Sequence, residues 1–139
     1  MGYNLPYVSV LYYYGLTILA LSNIDFFAPS DVPQPPDKIV VEKLEAKPYP
    51  DGWRVRVSVD VTPFQQRPNL EIQVRSAEGR VVSELSVIET MIRHMEFTMH
   101  LRGLASPRGS YMLTASLYYG EDPSQSQHRS ETPFEIEGA

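Results

Sequence analysis

Hydrophobic and polar residues alternate over several short stretches of the chain after Lys38. In the clearest stretch, from Trp53 to Val61, a tryptophan and four valines alternate with polar or charged residues. Successive side chains of a strand point to opposite faces of a sheet, so this pattern predicts a strand with one buried face and one wet face. The same phase places Trp53, Met95 and Met99 in the core. Similar alternation, weaker in the first and third of these stretches, predicts strands at residues 39–46, 70–75, 81–88, 94–101, 110–119 and 133–137.

Turn-forming residues separate the predicted strands. Gly79 follows Ala77 and Glu78 between two of them, and glycine permits the positive φ that a hairpin turn needs. Short strands without a long helix are typical of an all-β protein, and we predict an antiparallel β-sandwich. Residues 86–95 stay open at this point, because they fit either a helical turn or a strand that crosses between sheets.

Residues 107–115, PRGSYMLTA, resemble the start of strand F in immunoglobulin-like and fibronectin type III-like domains. In those domains a tyrosine at the start of this strand anchors a corner of the fold through its hydroxyl. The resemblance implies an immunoglobulin-like antiparallel sandwich of about seven strands, with Tyr111 at the anchoring position. The chain departs from true immunoglobulin domains, since it has no cysteine pair and Trp53 falls on the second predicted strand rather than the third. Because this architecture hosts many functions, the resemblance implies no specific activity.

The start of the chain has a different composition. The first charged side chain is Asp25, and all 12 lysines and arginines lie at Lys38 or later. Residues 28–37 contain four prolines, which predicts an extended spacer. These shifts divide the chain into an apolar segment at 1–27, a proline-rich linker at 28–37 and the sandwich domain at 38–139.

The apolar segment predicts a membrane anchor. An uncharged, mainly apolar run of about 18 residues is long enough to cross a bilayer as a helix, and residues 7–24 meet this criterion. No basic region precedes the run, so it does not resemble a cleaved signal peptide. We therefore expect a membrane-associated protein with the sandwich on the outer side. The side chains expected to contact the membrane or a partner are Tyr7, Leu11, Tyr14, Leu16, Leu19, Ile24, Phe26 and Phe27.

Two other interpretations of this segment remain open. The consecutive tyrosines at positions 12–14 favour a strand. In one alternative, residues 5–14 and 16–24 are two strands that turn at Gly15 and are added to the sandwich or donated to a neighbouring subunit. In the other, the segment is a helix docked on the protein's own surface, since periodicity alone does not separate these cases. A soluble protein is compatible with both alternatives.

Charge and composition exclude several classes of function. A net charge of -5 gives no electrostatic support to a nucleic-acid partner, which needs a basic surface. The absence of cysteine removes disulfides, thiolate metal sites and cysteine nucleophiles. Neither a glycine-rich phosphate loop nor a Gly-x-Ser-x-Gly motif occurs in the sequence. We therefore expect no enzyme activity, no cofactor and no small-molecule substrate.

His94, Glu96 and His100 share the outward face of one predicted strand and are the obvious candidates for a metal site. At about 3.3 Å per residue, the two histidines stand roughly 20 Å apart. Metal–ligand bonds are about 2 Å long, so one ion cannot bind both. We expect these residues to be solvated and expect no metal.

A binding loop is predicted between the last two strands. Loops at the ends of a sandwich carry recognition in this architecture, and tyrosines beside a polar loop suit stacking on a sugar or a peptide. The alternative is a solvated hairpin loop with tyrosines packed at its rim. The residues predicted to form the binding loop are Tyr118, Tyr119, Glu121, Asp122, Gln125, His128 and Arg129.

The sequence therefore predicts a non-catalytic sandwich that binds a protein partner or associates with itself, as a membrane-anchored accessory or assembly subunit. Two alternatives come from other classes of function. One is a filament or oligomer subunit that donates residues 5–24 as strands. The other is a soluble carbohydrate- or peptide-binding module that acts through residues 118–129.

Overall fold

The computed structural model of the protein describes residues 32–137. The predictions for the first 31 residues, including the helix or strands expected at 7–24, lie outside the described residues. Two single-turn 3-10 helices occupy Pro36–Lys38 and Pro123–Gln125. The strands are β1 (Val41–Pro48), β2 (Arg54–Val61), β3 (Asn69–Ser76), β4 (Val81–Val87), β5 (His94–His100), β6 (Gly109–Tyr118) and β7 (His128–Ile136). Within residues 32–137, no helix has the length and apolarity needed to cross a bilayer.

The strands form two antiparallel sheets. One sheet has three strands in the order β1-β2-β5, and the other has four in the order β4-β3-β6-β7. Buried apolar side chains from both sheets belong to one cluster, so the sheets pack face to face around a single core. The prediction of an all-β antiparallel sandwich of seven strands is confirmed.

The alternation in the sequence explains which side chains form the core. Along β2 and β3 every second residue is buried, while most of the residues between them are partly or fully exposed. Met95 and Met99 of β5 are also buried, so their predicted phase is confirmed. Each large apolar side chain that is removed from water stabilises the fold by about 1.5–3 kcal/mol. The fully buried side chains of β2 and β3 are Val55, Val57, Val59, Val61, Leu70, Ile72 and Val74.

Tyr111 anchors the corner that precedes β6. Its hydroxyl donates a hydrogen bond of 2.5 Å to the backbone carbonyl oxygen of Pro107, four residues upstream. Its ring is buried and stacks on Phe134 of β7, with ring centroids 5.4 Å apart. The contact agrees with the hydroxyl-anchored corner that the sequence predicts at this position.

The prediction that Trp53 is a core residue is wrong. Its side chain is 38% exposed, and β2 begins only at the next residue, Arg54. Trp53 belongs to a turn in which the Gly52 N–H donates to the Tyr49 carbonyl oxygen and Asp51 Oδ1 accepts from the Trp53 N–H. The strand therefore begins one residue later than the sequence pattern suggests, because alternation alone does not mark where a strand starts.

The two ends of the sandwich carry different loops. Strands β2, β4 and β6 end at one of them, which we name the linker end. The loops that follow these strands, at 62–68, 88–93 and 119–127, therefore lie at this end together with residues 32–40. The opposite end, which includes Trp53, is the far end. The chain therefore enters the sandwich at the linker end.

The last residues of the proline-rich linker are attached to the sandwich. The Gln34 N–H donates to the carbonyl oxygen of Pro63 at 2.9 Å, and the Gln65 N–H donates to the carbonyl oxygen of Gln34 at 2.9 Å. The side-chain amide of Gln127 donates to the carbonyl oxygen of Pro36 at 2.6 Å. The described part of the predicted spacer therefore forms hydrogen bonds with the domain.

Candidate interaction surface

The two tyrosines of the predicted binding loop form contacts within the domain. Tyr118 is buried, and the hydroxyl of Tyr119 donates to the backbone carbonyl oxygen of Gln66 at 2.8 Å. Burial raises the pKa of both phenols. The ring of Tyr118 is therefore not available for stacking on a ligand in this conformation.

Polar residues of the same loop shape the loop itself. Asp122 precedes the short helix Pro123–Gln125, and one of its carboxylate oxygens accepts hydrogen bonds from the backbone N–H of Ser124 at 3.0 Å and from its hydroxyl at 2.7 Å. These bonds hold the pKa of Asp122 below its usual range. Glu121 and Gln125 are exposed. The binding role predicted for this loop stays a prediction.

His128 and Arg129 lie on β7 rather than in the loop. His128 Nδ1 accepts a hydrogen bond of 3.0 Å from the backbone N–H of Val41, which links β7 to β1 of the other sheet. The guanidinium of Arg129 lies 3.5 Å from the carboxylate of Glu131 on the same strand. The structure thus places the imidazole of His128 between the sheets, where it contributes to packing of the domain.

The candidate metal residues make other contacts. His94 Nδ1 lies 2.9 Å from a carboxylate oxygen of Asp60, its cross-strand neighbour, and His94 Nε2 lies 2.9 Å from the guanidinium of Arg93. His100 is at the other end of β5. In the part of the chain that the structure describes, no group of three or more histidine and acidic residues is placed to hold a metal ion.

Three large apolar side chains project from the loop between β4 and β5. Ile88 is 65% exposed, Met91 77% and Ile92 59%. We name these three residues the apolar tip. They lie in the stretch that sequence analysis left open, and the structure makes it a loop that crosses from one sheet to the other. The available signal was three large apolar residues in a stretch whose pattern did not decide between a helical turn and a strand.

Hydrogen bonds hold this loop in a strained conformation. Glu89 has a φ of 49°, in the left-handed region that side chains other than glycine seldom adopt. Its backbone N–H donates to Oδ1 of Asn69 at 2.7 Å, and Nδ2 of Asn69 donates to the carbonyl oxygen of Gly120 at 2.9 Å. Since Asn69 is buried, it ties the loop firmly to the end of β6.

Thr90 points inward between the residues of the apolar tip. Its backbone N–H donates to the carbonyl oxygen of Pro68 at 3.0 Å, and its hydroxyl donates to the carbonyl oxygen of Ile92 at 2.8 Å. Thr90 is buried, whereas its neighbour Met91 is exposed.

Arg93 closes the loop on the other side. Its Nε donates to the carbonyl oxygen of Val61 at 3.0 Å, and its terminal guanidinium nitrogen lies 2.9 Å from a carboxylate oxygen of Glu42. The apolar tip therefore projects from a loop that is held by backbone and side-chain hydrogen bonds on both flanks.

The fold is found in parts of much larger proteins. The β-glucuronidase of Bifidobacterium dentium, solved with coumarin-3-O-glucuronide, matches with a TM-score of 0.50 and 13% identity over 70% of this chain and 18% of that chain. The β-glucuronidase of Ruminococcus gnavus matches with a TM-score of 0.46 and 15% identity over 71% of this chain and 16% of that chain. No protein-family model matches the sequence, and no curated protein matches it.

At this level of identity the comparison with the B. dentium protein establishes the fold alone. This chain spans less than a fifth of the length of either β-glucuronidase. The B. dentium match agrees with an all-β sandwich, and the function of this chain is argued from its own residues.

Proposed function

We propose that this protein is a non-catalytic, immunoglobulin-like sandwich that is anchored to a membrane by its apolar start and serves as an accessory or assembly subunit. One observation carries the proposal. Within residues 32–137, buried apolar side chains between Ile39 and Ile136 form one cluster to which both sheets contribute, so this part of the chain has a core of its own. The uncharged run at 7–24 then has its most favourable environment in a bilayer, because exposure to water would leave a large apolar surface.

The immunoglobulin-like relationship is part of this proposal. It is supported by the hydrogen bond from Tyr111 to Pro107, by seven antiparallel strands in two sheets, and by the sequence around Tyr111. We propose no β-glucuronidase activity for this chain, since the likeness to those proteins concerns a small part of their length.

Free strand edges favour a second candidate function, in which the chain donates its first residues as strands to a neighbouring copy. The edge strands β1 and β7 are linked by hydrogen bonds from Thr132 to Leu44 and from Val41 to His128. The edge strands β4 and β5 have no further strand beside them within residues 32–137. An unpaired edge accepts an added strand through its backbone N–H and C=O groups.

Fractionation of the full chain and of a variant that lacks residues 1–30 tests the proposal. We expect the full chain in the membrane fraction, released only by detergent, and the shortened chain in the aqueous fraction as a folded monomer. The shortened chain keeps Gln34 and its bonds to the sandwich, so its thermal unfolding should stay cooperative. Full-length protein that is recovered in the aqueous fraction as a monomer contradicts the proposal. Detergent-free polymers that disappear on shortening support strand donation instead.

A further inference from the structure

We propose that the apolar tip, Ile88, Met91 and Ile92, inserts into the headgroup region of the bilayer that holds the anchor. This inference rests on the proposed function and adds to it a second point of membrane contact and an orientation for the domain. It assigns a lipid surface, rather than a protein, to the most exposed large apolar side chains among the described residues.

The length of chain between the predicted anchor and the sandwich limits where the domain can lie. Phe27 is the last residue of the apolar segment, and Val32 is the first described residue. Five residue steps at 3.3–3.6 Å each span about 18 Å at most. Because the chain enters at the linker end and the residues from Gln34 onward are bonded to the sandwich, that end is kept near the bilayer. The apolar tip lies at the same end.

The conformation of the loop favours a role for the exposed side chains. A left-handed φ at Glu89 costs free energy, and it is maintained by the buried amide of Asn69. Thr90 is buried between the residues of the tip. The strained backbone at Glu89 and the buried polar side chains of Asn69 and Thr90 thus hold the loop in a conformation that exposes apolar side chains. Such exposure is unfavourable in water.

The chemistry of the tip suits lipid better than a protein interface. None of its three residues is a tryptophan, tyrosine or arginine, the types that dominate the binding energy of protein interfaces, and such interfaces bury about 800 Å² on each partner. The charged side chains on the loops of this end are mixed in sign, with Arg67 and Arg93 beside Glu89, Glu121 and Asp122. We therefore expect insertion that depends on apolar contact and requires no anionic lipid.

The single tryptophan of the chain makes the test direct. Trp53 lies at the far end, and the eight residues of β2 separate it from the linker end by roughly 25 Å. The full-length protein is reconstituted into phosphatidylcholine vesicles with and without brominated acyl chains, which quench nearby tryptophan. The native chain, with Trp53 alone, is the control. The reporter is Met91→Trp in a Trp53→Phe chain, and Ile92→Trp in the same chain is a second reporter.

We expect emission from the tryptophan at position 91 or 92 to fall by roughly half in brominated vesicles, as for side chains 5–10 Å into the bilayer boundary, while Trp53 emission is unchanged. Protein that floats with the vesicles and shows no quenching at either position overturns this inference and leaves the anchor standing. The same is true if the emission of the tryptophan at position 91 changes only at high protein concentration, because this result indicates contact with another protein rather than with lipid. Full-length protein that does not float overturns the proposed function and this inference together. Equal urea midpoints of the native and reporter chains verify the fold.

Discussion

Asn69 and Glu89 are joined by a hydrogen bond of 2.7 Å, in which the backbone N–H of Glu89 donates to the side-chain oxygen of Asn69. The bond connects the first residue of β3 to the loop that displays the apolar tip. It stabilises a backbone conformation that glutamate would otherwise avoid. The position of the apolar tip therefore depends on the buried side chain of Asn69, which lies where the loop at 62–68 meets β3.

Replacing Asn69 by alanine should destabilise the domain. The change removes the bonds to the Glu89 N–H and the Gly120 carbonyl oxygen and leaves both groups without their partner. We expect the free energy of unfolding to fall by about 2–3 kcal/mol in urea titrations. Glu71→Ala is the control on the same strand, because the bond that its carboxylate accepts from the Ser86 hydroxyl is exposed and its loss should cost little. Equal stabilities of the two variants would contradict the role of Asn69.

Replacing Tyr111 by phenylalanine removes the hydroxyl that anchors the corner. The ring still stacks on Phe134, and only the bond to the Pro107 carbonyl oxygen is lost. We expect a loss of about 0.5–1.5 kcal/mol in the free energy of unfolding. Tyr119→Phe serves as the control, because its hydroxyl bond to Gln66 is exposed. A Tyr111→Phe chain as stable as the native one would show that the corner bond adds nothing.

Alkaline pH should weaken the contribution of the Tyr111 hydroxyl. Burial raises the pKa of this phenol, so above pH 10 the folded chain retains a proton that the unfolded chain has lost. Its stabilisation is thus fully present below the unfolded pKa of about 10 and is lost as pH rises through the raised folded value. The difference in unfolding free energy between the native chain and Tyr111→Phe should therefore stay constant up to about pH 10 and shrink as pH rises further. A difference that grows over this interval would have the wrong sign.

Trp53→Ala should cost much less than a core substitution. Trp53 is 38% exposed, whereas Leu70 is fully buried. We expect Leu70→Ala to lower the unfolding free energy by about 2–5 kcal/mol and Trp53→Ala to lower it by about 1 kcal/mol. Urea unfolding of both variants provides the comparison. If Trp53→Ala lowered the unfolding free energy as much as Leu70→Ala does, the result would indicate that Trp53 is a core residue.

The strands were largely predictable because alternation and burial have the same physical origin. The valines of β2 and the methionines of β5 are buried in the predicted phase. The turn around Asp51 and Gly52, which moves Trp53 out of the core, depends on hydrogen bonds that residue polarity does not encode.

The candidate surface was much less predictable. The predicted loop site included Tyr118 and His128, which the structure places in buried or half-buried positions within the fold. The apolar tip depends on Asn69, about twenty residues away in sequence and next to the tip only in the folded chain. Contacts of this kind arise from tertiary packing, so no local sequence pattern predicts them.

The environment of residues 7–24 is the most direct test of the proposed anchor. The chain has no cysteine, so single cysteines at Leu11, Leu16 and Leu19 accept one spin label each without other changes. In full-length protein reconstituted into vesicles, the accessibility of each label to oxygen and to a water-soluble nickel complex is measured by electron paramagnetic resonance. We predict high oxygen and low nickel accessibility at all three positions, because an anchor lies in the hydrocarbon core. Labels that the nickel complex reaches as readily as a label at exposed Ser106 would contradict the anchor.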